Sequence, residues 1–221
     1  MPPYQPTFDF RARYIDRAHH ALATAPVEGA LIQVKNRRWL GKVIPGWLRR
    51  EDALKLYELA YFAPGDILEI GSYHGLSTSI LARANRNSPC RKHIFSVDLD
   101  PASGEATRAN LKSLGLSRAV STVCDDAVTA VRRYASQGKR FGVIFVDHAH
   151  DYEPVYQVCR ELGQVTAPGG FCLFHDFNDG RNRHPDNHEY AVYQAVTEGL
   201  PSGRFRFCGI YGCTGLYRAV E

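Results

Sequence analysis

The sequence predicts an α/β protein, a three-layer sandwich whose mostly parallel, seven-stranded sheet carries helices on both faces and closes on an antiparallel hairpin. Three observations lead there. From residue 67 onward, short apolar runs alternate with helix-length segments, the pattern of parallel strands joined by crossover helices. The first run passes directly into a turn punctuated by Gly71 and Gly75, and a helical pattern begins where that turn ends. Near the C-terminus, two strand-like runs are separated by a Gly-rich link too short for a crossover, so they pair antiparallel.

Residues 1–54 read as an N-terminal extension and 55–221 as the main domain. The extension has Pro2, Pro3, Pro6 and Pro26, an Arg-rich helix candidate over 10–22, and Trp39 and Trp47 flanking Ile44, Pro45 and Gly46. Such a segment serves as a cap over an active site, as a homo-oligomer contact, or as packing against the first helix and sheet edge. Strands are expected at 67–70, 93–97, 119–124, 142–147 and 171–175. The helices between them are expected at 75–84, 102–114, 127–137 and 153–166. A further helix at 190–198 precedes the closing strands at 204–208 and 216–219.

With 221 residues, 44% of them hydrophobic, the chain can bury one sizeable core. Its net charge of +4 is dispersed apart from short clusters such as Arg37-Arg38 and Arg49-Arg50, which argues against nucleic acid as a partner. The chain has no apolar run long enough to span a membrane, and its first residues lack a signal-peptide pattern, so a soluble, cytoplasmic protein is expected. Six cysteines form no C-x-x-C pair, which argues against structural zinc. They read as free thiols, with Cys208 and Cys213 placed to face each other across the hairpin.

The run from 67 to 78 reads ILEIGSYHGLST. Its glycine spacing is G-x-x-x-G rather than the G-x-G-x-x-G of dinucleotide sites. Glu69 puts a carboxylate where a pyrophosphate binder avoids negative charge, so the loop suits an ammonium or sulfonium ligand. The next strand ends at Asp98, positioned to accept both hydroxyls of a ribose, in preference to Asp100 two residues on. The third ends in CDDA, residues 124–127, where Asp126, or Asp125 beside it, either meets an adenine amino group or caps the following helix.

EIGSYHG at 69–75, VDLD at 97–100 and CDDA at 124–127, in this order and with the hairpin ending, resemble the S-adenosylmethionine (SAM) methyltransferases of class I, a Rossmann-like fold. The resemblance spans about residues 55–221. It implies that Glu69, Gly71 and Ser72 border the methionine part of SAM, with Tyr73, Gly75 and Ser77 completing the loop. Asp98 would hold the ribose, and Asp126 with Ala127, or Asp125, the adenine. Asp147 and His148 join the cofactor contacts.

The fourth strand ends in VDHAHDY, residues 146–152, and the fifth in PGGFCLFHD, residues 168–176. Adjacent strand ends in an open parallel sheet lie side by side, so Asp147 and Asp176 are expected to converge. Two carboxylates and the Asn178 amide, completed by waters, suit Mg2+; a softer ion such as Mn2+ or Fe2+ would also accept one of His148, His150 and His175. These runs resemble the metal-dependent O-methyltransferases of the catechol type and of the antibiotic-sugar type. The resemblance makes Asp147 and Asp176 metal ligands and His150 the catalytic base, and the choice of His tilts towards the sugar type. Where the catechol pattern has an Asn after the second Asp, this chain has Phe177, so Asn178, His175 or water must supply the third ligand. Alternatively, Asp147 bonds the methionine ammonium without a metal, His148 is structural, and His175 only holds Asp176. The polar loop 178–188 offers Arg181, Arg183 and His184 for substrate. The acceptor implied is a small hydroxylated molecule, a sugar, glycoside or polysaccharide precursor. The alternatives are a metal-independent methyltransferase and a non-catalytic adenosyl-binding module.

Overall fold

The computed structural model describes residues 14–24, 44–183 and 190–220. Its strands are β1 (Ile67–Ile70), β2 (Ile94–Asp98), β3 (Val120–Cys124), β4 (Phe141–Val146), β5 (Thr166–Phe174), β6 (Phe205–Tyr211) and β7 (Thr214–Ala219). Its helices are α1 (Arg17–Ala23), α2 (Arg50–Phe62), α3 (Leu76–Asn87), α4 (Pro101–Ser113), α5 (Ala127–Ser136), α6 (Tyr152–Leu162) and α7 (Val192–Gly199). One sheet forms in the order β3-β2-β1-β4-β5-β7-β6. β1 to β5 run parallel, and β7 pairs antiparallel with both β5 and β6.

Strand periodicity divides the core between the two faces of the sheet. Ile67, Val143, Phe145 and Leu173 pack with α1 to α4, while Leu68, Ile70, Ile144 and Val146 pack with α5 to α7. Helix starts follow local chemistry. Asp100 caps α4 through the Ala102 and Ser103 amides, with Pro101 in the first turn, and Asp126 caps α5 through the Thr129 amide.

Two elements differ from expectation. The helix placed over 153–166 stops at Leu162, and β5 begins at Thr166 rather than at 171. Pro168, Gly169 and Gly170, expected between helix and strand, form an irregularity inside the strand, where the register with β4 shifts. A Cβ on Gly170 would lie 2.9 Å from the Ala167 carbonyl oxygen and 3.1 Å from those of Phe141 and Gly142, so backbone approach demands glycine there. The hairpin is also longer than expected, turning on Gly212 and Cys213 alone. All six thiols are free, and Cys213 faces Asp52 and His175 instead of Cys208.

The N-terminal helix candidate over 10–22 is described only from Tyr14 onward, where α1 forms; Trp39 lies outside the described residues. The boundary expected between 54 and 55 falls inside α2. Ile44, Leu48, Ala53 and Leu54 belong to the same core as β1. Asp52, fully buried in the first turn of α2, accepts hydrogen bonds from the Arg49 amide (2.7 Å), the Cys213 and Thr214 amides (3.0 Å each) and the Thr214 hydroxyl (2.7 Å). This carboxylate ties α2 to the β6–β7 turn. Among the described residues, no helix is long and apolar enough to cross a membrane.

Candidate active site

The strand order reverses between β1 and β4, and open α/β sheets bind ligands at such a point. A cleft of about 320 Å³ opens there, walled by the glycine turn and Asp98 on one side, by Asp147, His150, His175 and Asp176 on the other, and by residues 45–48. Backbone ladders continue past the strand ends and fix these walls. The Gly71 amide donates to Val97 O, the Asp147 amide to Ile70 O and the His175 amide to Val146 O.

Glu69 does not reach the cleft, contrary to expectation. It is fully buried beneath the turn, and its oxygens accept hydrogen bonds from Ser77, Thr78 and Ser96 hydroxyls, each at 2.6 Å. Burial pushes its carboxyl up to about 7, against the opposing effect of those hydroxyls. Strand alternation explains the placement: Glu69 shares the face of Ile67, under α3, which supplies Ser77 and Thr78. Ser77 lines the cleft, but its hydroxyl is committed to Glu69.

Gly71 has φ +93, and a Cβ there would lie 2.2 Å from Asp147 O and 2.7 Å from His148 Cα. Glycine is therefore required by the backbone of β4's exit, not only by the turn. Asp98 lines the cleft. Its Oδ2 accepts the Ser72 and Tyr73 amides (2.9 and 2.8 Å), and its Oδ1 accepts the Asp100 amide (3.0 Å). The carboxylate thus shapes the loop while lining the cleft. Asp100 is the α4 cap. Gly75 has φ +86 and opens α3, and Tyr73 stands exposed with φ +46, stacked between His74 and Trp47.

Asp126, Asp125 and Ala127 are not among the cleft's walls. Asp126 serves as the α5 cap, Asp125 pairs with Arg133, and Ala127 is buried in the first turn. His148 does line the cleft, and burial pulls its imidazole below its ordinary value.

Asp147, His175 and Asp176 converge as expected of adjacent strand ends. His175 Nδ1 lies 3.2 Å from Asp147 Oδ1 and 3.2 Å from Asp176 Oδ2. Burial alone would lower the His175 pKa, but the two carboxylates outweigh it and raise it well above its ordinary value. Asp176 has the left-handed φ of +55, which turns its carboxylate back to His150 Nε2 at 3.1 Å. Burial raises its pKa, and the hydrogen bond from His150 together with the adjacent His175 imidazole more than reverses that, holding Asp176 well below the carboxylate range. The same bond raises the His150 pKa. Tyr73 and Asp176 are the two non-glycine residues with positive φ among those described, and both line this cleft, where such strain concentrates.

Asn178 does not join the cluster. It is exposed on a separate cavity with Phe177, and Phe177 itself packs against Tyr193, Phe207 and Gly215 in the core. Sequence reading missed Asp52 and Cys213 behind His175, and Tyr190, whose ring stacks on His150 at 4.7 Å and also carries the Arg181 guanidinium at 3.8 Å. No local pattern marks them, because each reaches the site from a distant element. Arg181 therefore braces Tyr190 and Asp179; Arg183 lies on the separate cavity, and His184 is outside the described residues.

Two carboxylates, an imidazole and an open side towards the cleft form a donor set that fits a divalent cation. The acidic walls suit a ligand bearing sulfonium and ammonium charge and two ribose hydroxyls.

Comparison with known proteins agrees with this geometry. Residues 68–177 match the family model described as a methyltransferase domain. No curated protein sequence matches significantly. Among solved structures, a candidate O-methyltransferase from Klebsiella pneumoniae is similar with a TM-score of 0.66 at 19% identity, covering 93% of this chain and 91% of that one. The O-methyltransferase TomG from Streptomyces achromogenes, in complex with SAM, gives 0.65 at 18% over 93% and 91%. An O-methyltransferase from Bacillus cereus in complex with SAH gives 0.66 at 16% over the same shares. The domain match over residues 68–177, the shared sheet and the cleft at the β1–β4 reversal place a methyltransferase domain on the fold of the class I S-adenosylmethionine-dependent methyltransferases.

Proposed function

We propose that the chain transfers the SAM methyl group to a hydroxyl oxygen of a small acceptor, a sugar or glycoside, with a divalent cation held by Asp147, Asp176 and His175. The observation that carries this reading is the convergence of Asp147 and Asp176, from two strand ends, on His175 Nδ1, each with a carboxylate oxygen at 3.2 Å. The O-methyltransferases among the structural neighbours support oxygen as the acceptor atom. When bound, the cation would lower the pKa of the acceptor hydroxyl.

The chain's own residues supply the remaining steps. Donation from His150 Nε2–H to Asp176 fixes the neutral tautomer and leaves the Nδ1 lone pair to take the acceptor proton. Stacking on Tyr190 holds the ring plane during that transfer. Asp98 and the glycine turn fix the donor, so the nucleophile meets a held methyl group; orientation of this kind is worth roughly 7–11 kcal/mol. Methyl transfer forms the C–O bond, breaks the C–S bond and turns the sulfonium into a neutral thioether.

The test is methyl transfer from labelled SAM to a panel of sugars, glycosides and catechols, before and after chelation. His150→Ala is expected to lower kcat by about 10²-fold or more while the SAM Kd stays within about twofold. Full turnover after chelation, or undiminished kcat in the variant, would overturn the cation or the base respectively.

A further inference from the structure

His175 faces two ways, and both faces are informative. Its ring is almost wholly buried. On one side, Nε2 lies 3.2 Å from Cys213 Sγ and 3.8 Å from Asp52 Oδ2, both themselves buried. On the other side, Nδ1 sits 3.2 Å from a carboxylate oxygen of each of Asp147 and Asp176, yet makes a well-formed hydrogen bond to neither. Asp52 accepts five other hydrogen bonds, from the Arg49, Cys213 and Thr214 amides, the Thr214 hydroxyl and the Cys213 thiol, so its position is fixed independently of His175.

A carboxylate and a thiol behind Nε2 select the tautomer with the proton on Nε2 and the lone pair on Nδ1. That lone pair then points between two anionic oxygens, an arrangement relieved either by a second proton on Nδ1 or by a cation among the three atoms, and the open side towards the cleft gives a cation access. The two nitrogen-to-oxygen separations of 3.2 Å are also close to the spacing of neighbouring ligands around an octahedral ion with bonds of roughly 2.1 Å, and all three donor atoms lie within 4.8 Å of one another.

We infer that His175 is a direct metal ligand through Nδ1, with Asp52 as its positioning residue, so that the site prefers a nitrogen-accepting transition ion of the Mn2+ or Fe2+ kind to Mg2+. The inference rests on the cation reading of the proposed function and goes further, to the identity of the ion. Imidazole nitrogen strengthens binding of first-row transition ions and adds little for Mg2+, which demands oxygen. The buried Asp52–His175–Cys213 set thereby links ion choice to the N-terminal turn of α2 and to the hairpin turn.

The experiment uses the full chain, freed of metal by chelation and dialysis, titrated with Mn2+ alone and with Mg2+ in competition, and read by the EPR signal of free Mn2+. Pulsed EPR of the bound ion then reports on imidazole nitrogen. Mn2+ is expected to bind at least about tenfold more tightly than Mg2+, with nitrogen modulation that survives in His150→Ala and disappears in His175→Asn. Asp52→Asn is expected to weaken Mn2+ by about 10–100-fold and Mg2+ far less. Should burial of Asp52 make that variant fold poorly, the wild-type modulation and its loss in His175→Asn still decide the matter. Bound Mn2+ without nitrogen modulation, or equal affinity for the two ions, overturns His175 as a ligand and leaves the cation reading standing. Failure of every divalent ion to bind, with His175 doubly protonated by NMR, overturns both.

Discussion

Glu69→Gln isolates the one carboxylate that the turn buries completely. In the folded chain its carboxyl is pushed up from an ordinary 4.5 to about 7. Between those values the folded state holds a proton that the unfolded chain has released, so stability falls as pH rises from about 4.5 to about 7 and is level beyond. That rise in pKa corresponds to about 3 kcal/mol in full, most of which is lost between pH 5 and pH 8. No discount for solvent screening applies, because the side chain is fully buried. Glutamine has the same shape and no charge, and the hydroxyls of Ser77, Thr78 and Ser96 can each reverse from donor to acceptor to suit it. Relative to the wild type, the variant is therefore expected to gain roughly 2–3 kcal/mol on going from pH 5 to pH 8. Urea unfolding of both proteins across that range measures the gain. Parallel stability curves for the two chains would refute the burial argument, and loss of SAM binding in a well-folded variant would return Glu69 to the cofactor.

Two further outcomes follow from the turn. Gly71→Ala forces a Cβ against the Asp147 and His148 backbone at φ +93, combining left-handed strain of roughly 1–2 kcal/mol with overpacking of roughly 1–3 kcal/mol. Urea unfolding should show a loss of about 2–5 kcal/mol, and a change below about 0.5 kcal/mol would contradict the close approach. Asp98→Ala frees the Ser72 and Tyr73 amides and removes the ribose acceptor; calorimetry is expected to show SAM affinity reduced by about tenfold or more, and unaltered affinity would sink that role.

Much of the site was legible because strand ends obey a local rule. A run such as VDHAHDY reveals that a strand stops at Asp147, and parallel neighbours place Asp176 beside it. Other residues were misplaced by one physical step. Glu69 sits at a strand end like Asp98, but pleating sends it under α3, and the hydroxyls that absorb its oxygens come from another helix and another strand. Asn178 is close to Asp176 in sequence, yet the left-handed turn at Asp176 and the burial of Phe177 carry it to the far side. The sequence places Gly169 and Gly170 outside the strand because composition does not distinguish a connection from an irregular strand.

The sequence by itself determined the order of strands and helices, the hairpin ending, the glycine turn and the pairing of Asp147 with Asp176, since all depend on periodicity and on short-range chain geometry. Tertiary structure alone decided which carboxylates face the ligand and what stands behind them. Asp52 is far from His175 along the chain and next to it in space, and only the packing of α2 against the hairpin turn could bring a buried carboxylate to the back of that imidazole.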